Sequence, residues 1–324
     1  MSISRRFALL SIAATFAPPG AGVAAGRQRL KVVVAVDSSG LPTRAWLDVL
    51  RDRVTSDQLS AIAASAKPLT SDERAWAELI GRRAPEWFAG IGRLNAPFRT
   101  LPPPATIRVV LGNQGGDDAF GVAPDTAAFD LSSLARIYGV ADPEANSRLM
   151  GRLLSHEYTH LLINPYLERI GWSEAWASTA PFLRALRTLF NEGLGNLRSL
   201  EGDPRFVSSN GAPTPRAREA LAQLQPVMLQ RLQRLRDDPP PEEARMLLRN
   251  ISEGPFTGKW GALPIALWLA ADTGFAPAKI AAWVEGGPQG ILALAVRQAD
   301  AAFRPAFQEL LAGVPAAVAA RRRV

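Results

Sequence analysis

The sequence predicts an α+β fold: a small mixed sheet with helices in the N-terminal half, then a half made only of helices. Two segments indicate the sheet. Residues 30–36 (LKVVVAV) and 107–111 (IRVVL) are short and rich in β-branched side chains, which is typical of strands. A third observation indicates the helices, because apolar residues recur at helical spacing through most of the chain after residue 142.

Between these two strands the pattern is mostly helical. It predicts helices over 44–93, and the proline run at 102–104 predicts a stiff connector. Glycine and aspartate residues over 112–118 predict a turn. The segment 119–131 predicts one or two short strands, of which 129–131 is the clearest.

A long helix is predicted to begin at Asp142, a good N-cap, with Pro143 as its first helical residue. Asn164 followed by Pro165 predicts its end. Segment 207–215 is predicted to be a flexible insertion. Further helices are predicted at 172–200, 215–236, 241–250, 261–272, 277–285 and 291–312.

Composition excludes several classes of protein. The chain has 324 residues, 47% of them hydrophobic and 21% charged, enough for one large domain or two modest ones. The net charge is +7, and the basic residues are almost all arginines scattered along the chain. Because they form no stripe with aromatic residues, we expect no nucleic-acid binding. No apolar run reaches about 18 residues, so no membrane-spanning helix is predicted. The absence of cysteine excludes disulfides, thiolate metal sites and a cysteine nucleophile.

Residues 1–25 are typical of a secretory signal, with Arg5 and Arg6 before a short apolar core and small residues before a cleavage point after Ala25. The segment 4–7 (SRRF) resembles a twin-arginine export signal, although its phenylalanine follows the arginine pair directly. We therefore expect an exported protein, periplasmic or secreted. Its expected parts are the signal at 1–25, a β-containing subdomain at 26–163 and a helical subdomain at 164–324.

The chain has two histidines, and both lie in the pentapeptide HEYTH at 156–160. In a helix, His156 and His160 project from one face a turn apart, so both imidazoles can reach one metal ion. Glu157 lies beside them, where it can take a proton from a water that the metal activates. Neutral imidazole is a favoured ligand of zinc. The motif therefore predicts one Zn²⁺ per chain and a hydrolytic site.

A tetrahedral zinc site needs a third protein ligand. With no further histidine and no cysteine, that ligand has to be a carboxylate. Glu192 is favoured because it lies on a second apolar helix, after an interval that can hold a loop and an antiparallel return. Glu174 is the second candidate. The remaining downstream candidates are Glu168, Glu201 and Asp203.

The pair of motifs HEYTH (156–160) and NEGLG (191–195) resembles the gluzincin metallopeptidases. More narrowly, it is similar to predicted zinc-dependent peptidases of the peptidase MA-like kind, whose second motif reads E-G-L-A; Gly195 stands in place of that alanine. The resemblance covers 106–200, and 253–272 is similar to a helix that these families carry behind the site.

The resemblance implies a zincin-like fold and a peptidase, with His156, His160 and Glu192 as zinc ligands and Glu157 as the catalytic base. It also implies that the strand from Ile107 to Leu111 is a sheet edge that pairs with an extended peptide substrate. The interval between His160 and Glu192 is longer than in thermolysin-like enzymes.

Transition-state stabilisation needs a hydrogen-bond donor near the developing oxyanion. The candidates are Tyr138, Tyr166, Lys259 and an arginine, while Tyr158 is expected to turn away from the metal. Two other functions stay open at this point. One is a metal-stabilised binding protein without catalysis, against which an intact Glu157 argues, and the other is a zinc hydrolase of a non-peptide or cell-wall amide bond. Cleavage preference and oligomeric state are not predicted.

Overall fold

The structure is a computed structural model that describes residues 28–321, except for 36–42, 52, 66, 99–100 and 123. The predicted signal at 1–25 lies outside the described residues. The chain divides into two compact units. The N-terminal unit comprises the described residues of 1–93 and 102–161, and the C-terminal unit comprises those of 94–101 and 162–324.

The N-terminal unit holds a four-stranded mixed sheet. Three of its helices lie between the first and second strands in the chain, and the others follow the last strand. The strands are β1 (Arg29–Val34), β2 (Thr106–Gly112), β3 (Ala119–Val122) and β4 (Thr126–Asp130). The helices are α1 (Arg44–Leu50), α2 (Ser56–Ala64), α3 (Ser71–Ala89) and α4 (Leu131–Tyr138), with the first part of α5 (Ala145–Arg169). The predicted α+β class is therefore confirmed for the described residues.

The sheet order is β1-β2-β4-β3, with β2 parallel to both of its neighbours and β3 antiparallel to β4. The prediction that Ile107 to Leu111 form an edge strand is wrong, because β2 is hydrogen-bonded on both sides. Its near-continuous apolar sequence fits this interior place, since a parallel strand covered on both faces needs apolar side chains on both. The edges of the sheet are β1 and β3.

One face of the sheet packs on a core centred on Trp46 of α1. Trp46 and Leu50 are fully buried in this core with Val110 of β2, Phe120 of β3 and Ala128 of β4. The rings of Trp46 and Phe120 lie 5.9 Å apart, and Gly112 leaves room for the indole, because a Cβ there would overlap it. This core fixes which face of β3 points inward.

Several element boundaries differ from the predicted ones. The strand predicted at 129–131 is the end of β4 and stops at Asp130. The Asp130 carboxylate accepts hydrogen bonds from the backbone N–H groups of Ser132 and Ser133, so a short helix that was not predicted, α4, begins at Leu131. Helix α5 passes through Pro165 to Arg169. Pro165 removes one backbone hydrogen bond, but Leu162, Ile163 and Leu167 around it are buried, and that burial keeps the helix intact.

The start of α5 follows its predicted cap. The carboxylate of Asp142 accepts hydrogen bonds from the backbone N–H groups of Glu144 and Ala145, at 2.8 and 3.0 Å. These bonds hold the pKa of Asp142 below its ordinary value. An ionised carboxylate at the N-terminus of the helix is also favoured by the helix dipole.

The described elements of the C-terminal unit are helices and two 3₁₀ segments. The segments are Phe256–Gly258 and the part of Ile91–Phe98 that follows residue 93. After the end of α5, the helices are α6 (Glu174–Ala177), α7 (Pro181–Leu200), α8 (Pro215–Arg236), α9 (Pro241–Leu248), α10 (Ala262–Thr273), α11 (Pro277–Glu285), α12 (Gly290–Gln298) and α13 (Arg304–Arg321). The predicted helices 172–200 and 291–312 are thus each divided in two. In the predicted insertion at 207–215, Val207 is buried and bridges Pro213.

Helix α10 is the centre of the C-terminal unit and packs on α7. A Cβ at Gly193 of α7 would lie 2.3 Å from Ile265 of α10, so glycine is what allows this close approach. Gly261, just before α10, is similarly close to Leu189. Within the described residues, no helix joins enough length to enough apolar character to cross a bilayer.

Candidate metal centre

Helix α5 carries the two histidines a turn apart. The ring centroids of His156 and His160 lie 4.6 Å from each other, with their planes at 77°. His156 is 9% exposed, and His160 is partly buried. Their i,i+4 spacing on one helix brings both imidazoles to the same place, as the sequence predicts.

Glu192 of α7 joins them. His156, His160 and Glu192 each offer one ligand atom, and these three atoms all lie within 4.8 Å of one another. The group could therefore hold a metal ion. It contains the two predicted histidine ligands and the favoured carboxylate of the five that the sequence offers.

The donor set fits zinc. Two imidazole nitrogens and one carboxylate oxygen are the ligands of known catalytic zinc sites, which keep a fourth position open for water. Zinc bonds of about 2.0–2.2 Å place tetrahedral ligand atoms about 3.4 Å apart, which is inside the 4.8 Å limit that the three side chains meet.

The other candidate carboxylates have partners of their own. Glu174 pairs with the buried guanidinium of Arg187, and Glu168 accepts a hydrogen bond from the backbone N–H of Glu174. Glu201 lies 3.7 Å from Arg198. Asp203 binds Arg205 through both of its oxygens, at 2.9 and 2.6 Å, and this ion pair raises the pKa of Arg205.

Glu157, the predicted base, is 5% exposed and lies against strand β3. A Cβ at Gly121 of β3 would be 3.6 Å from Glu157 Oε2, 3.4 Å from the Glu157 carbonyl oxygen and 3.5 Å from His160 Cβ. An edge strand of the sheet therefore lies beside the motif helix at the level of Glu157 and His160. That strand is β3 and not the predicted 107–111.

The predicted oxyanion donors are engaged with other groups. The Tyr138 hydroxyl donates to Asp118 Oδ2 at 2.5 Å, and burial and this carboxylate raise the pKa of Tyr138. The Tyr166 hydroxyl donates to the carbonyl of Val284 at 2.9 Å, and burial raises its pKa. Tyr158 is fully buried, and its hydroxyl accepts from Gln28 Nε2.

Lys259, the remaining named candidate, belongs to the C-terminal unit. Its ammonium lies 6.0 Å from the centroid of the Phe256 ring, at the outer limit of a cation–π contact. The contacts described for these side chains therefore assign none of them to the oxyanion role.

Sequence reasoning missed Gly121. A glycine inside a strand pattern often marks a close approach to another part of the protein, so the signal was present in AFGV (119–122). What the sequence does not contain is which helix approaches that strand, since β3 and α5 are brought together only by the folded sheet.

Comparison with known proteins identifies no relative: no protein-family model matches the chain, and neither a curated protein nor a solved structure matches it.

Proposed function

We propose that this chain is a zinc-dependent peptidase with a zincin-like fold. The observation that carries the proposal is the convergence of His156, His160 and Glu192 within 4.8 Å, next in sequence to a buried glutamate. Two histidines and a carboxylate as ligands with a separate glutamate are the parts that metal-assisted hydrolysis of an amide needs. The resemblance of the two motifs to gluzincins supports the same function.

When bound, zinc supplies a Lewis acid that polarises the scissile carbonyl and lowers the pKa of water to about 7. In the proposed reaction Glu157 takes a proton from the attacking water and passes it to the leaving amine. His156, His160 and Glu192 act as ligands and carry no proton in these steps.

Strand β3 is the proposed docking strand for the peptide. It lies at an edge of the sheet, and edge strands bind extended peptides through backbone hydrogen bonds. Its Gly121 lies beside Glu157, which would bring a peptide paired with β3 to the base. We further propose that the protein acts outside the cytoplasm, which rests on the signal pattern of residues 1–25 alone.

Metal analysis of the purified chain tests the proposal. We expect about one zinc per chain, lost in Glu192→Ala and retained in Glu174→Ala, the matched control whose carboxylate pairs with Arg187. The zinc-loaded chain should hydrolyse members of a peptide library. A chain that stays metal-free in added zinc would overturn the site. A zinc-loaded chain that cleaves a panel of non-peptide amides but no peptide would overturn the substrate class.

A further inference from the structure

Gly121 has no conformational reason to be glycine. Eight glycines among the described residues have a positive φ, where glycine is favoured, and Gly121 is not one of them. Within β3 it pairs with Ala127 in ordinary antiparallel register. A glycine weakens a strand interior because it has no side chain to pack, so its presence here points to a need for space.

The space that a side chain at residue 121 would occupy lies on the side of β3 that faces helix α5. Side chains alternate along a strand, and Phe120 and Val122 belong to the face that packs on the Trp46 core. Gly121 therefore faces the opposite way, toward Glu157 and His160. A Cβ at this position would meet Glu157 Oε2 at 3.6 Å, so any larger side chain would extend into the room beside the carboxylate.

The next residue of β3 on this face is small as well. Ala119 lies two residues before it on the same strand, and Ala127 is its cross-strand partner on β4. Residues directly opposite in an antiparallel pair share a face. Ala127 and Phe129, the partner of Ala119, are buried, whereas Ala119 and Gly121 are partly exposed. Ala119 and Gly121 therefore form a floor of small residues beside Glu157.

We propose that Gly121 is a specificity-determining residue, and that the missing side chain admits substrates with a bulky apolar group next to the bond that is cut. The inference rests on the proposed function and deepens it. Water activated by Glu157 attacks a carbonyl close to that carboxylate, so the residues flanking the carbonyl must lie near the floor. A side chain at 121 and a large substrate group would compete for the same volume.

Substitution by valine tests this. Gly121→Val should lower kcat/KM for peptides with Phe or Leu beside the cleaved bond by about 10- to 200-fold relative to peptides with Gly or Ala there, which is the range that one or a few methylene groups decide in a pocket. Gly121→Ala, whose Cβ fits at ordinary contact distance, should shift the same ratio less. Gly81→Val on α3 is the matched control, because a Cβ at Gly81 meets nothing within 4 Å.

A binding measurement separates this inference from catalysis. Hydroxamates bind zinc without being hydrolysed, so the affinity of acetohydroxamate and of a phenylalanine-derived hydroxamate can be measured on the zinc-loaded chain by calorimetry. We expect Gly121→Val to keep its zinc and its affinity for acetohydroxamate, and to bind the bulky probe about 10- to 200-fold more weakly.

If Gly121→Val and the parent bind the bulky probe with equal affinity, residue 121 does not select substrates by size. That result would leave the proposed zinc site unaffected. A loss of both probes in Gly121→Ala and Gly121→Val alike would mean that the residue supports the fold of the site and does not select substrates. A parent chain that binds zinc and both probes yet cleaves no peptide would refute the proposed peptidase and not the role of Gly121.

Discussion

Glu157 and the metal ligands have separable roles at the scale of single residues. Glu157 is not part of the group that could hold a metal, so Glu157→Gln removes a base without removing a ligand. We expect kcat/KM for peptide hydrolysis to fall by about 10²- to 10⁴-fold, the usual contribution of general acid–base catalysis, with zinc content unchanged. Elemental analysis beside a peptide assay checks this, and full activity in the variant would exclude Glu157 as the base.

Tyr138 makes a second prediction at this scale. Burial and Asp118 raise its pKa above the ordinary value of 10.0. A raised pKa means that the native state holds the proton more tightly than the unfolded state, so the associated stability is complete below pH 10 and is lost as the pH rises above it. The parent should therefore lose stability above pH 10 more steeply than Tyr138→Phe, as measured by urea unfolding at a series of pH values.

The control for that prediction is the same comparison near pH 7. There the variant should be less stable than the parent by about 1.5–3 kcal/mol, because it lacks a hydrogen bond to a charged acceptor. Identical slopes above pH 10 in the two proteins would contradict a shifted Tyr138, whatever the difference at pH 7. Tyr166 also has a raised pKa, but it is common to both proteins and cancels.

At the scale of elements, a polar contact joins the end of α5 to α7. Asn164 Oδ1 accepts a hydrogen bond from Asn191 Nδ2 at 3.2 Å, and Arg187 of α7 donates to the same oxygen. Asn164 lies one turn after His160 on α5, and Asn191 immediately precedes Glu192 on α7. This contact therefore helps to set where Glu192 stands.

We expect Asn164→Ala to weaken zinc binding by about 10- to 100-fold, the usual cost of removing a residue that orients a ligand. Competition with a chromogenic chelator measures the dissociation constant. Asn210→Ala is the matched control, since Asn210 lies in an exposed turn and bonds locally to Ser208. Unchanged zinc affinity in Asn164→Ala would mean that α7 is positioned by its apolar contacts alone.

Elements were predicted well where their signals are local. Helices α8 and α11 have the predicted bounds because proline and an apolar periodicity mark them. The strand character of 107–111 was also local, whereas its interior place was not, because it depends on pairing with β1 and β4 from distant parts of the chain. Helix α5 extends past the end predicted at Asn164, because burial of the residues around Pro165, and not local helix propensity, decides that boundary.

The features of the candidate site also divide into those that local sequence predicts and those that depend on the fold. The two histidines and Glu157 follow from one helical pentapeptide, and the choice of a carboxylate follows from the absence of other ligand types. The partner of Glu174 could not be predicted, because Arg187 is one of many arginines and only the fold brings it to this carboxylate. The identity of the edge strand beside Glu157 likewise required the sheet order.

At the scale of the whole molecule, zinc should contribute to stability as well as to chemistry. A ligand that binds only the native state stabilises it by about 4 kcal/mol when its free concentration is 1,000 times the dissociation constant. Removal of zinc by a chelator should therefore lower the unfolding midpoint of the parent, and added zinc should restore it.

Glu192→Ala provides the control for that experiment. It should unfold at the same midpoint with and without the chelator, because its site has lost one of three ligands. Differential scanning calorimetry of both proteins, with and without added zinc, measures the shift. A chelator effect of equal size in the two proteins would place the stabilising metal somewhere other than on His156, His160 and Glu192.

The length of β3 limits how many residues of a peptide can form main-chain hydrogen bonds with this strand. With four residues, Ala119 to Val122, the strand spans about 14 Å at 3.4 Å per residue. Antiparallel residues alternate in the direction of their N–H and C=O groups, so only two of the four present them to a peptide outside the sheet. Main-chain affinity should thus saturate with oligopeptides of about four residues, and longer chains would gain nothing from this strand.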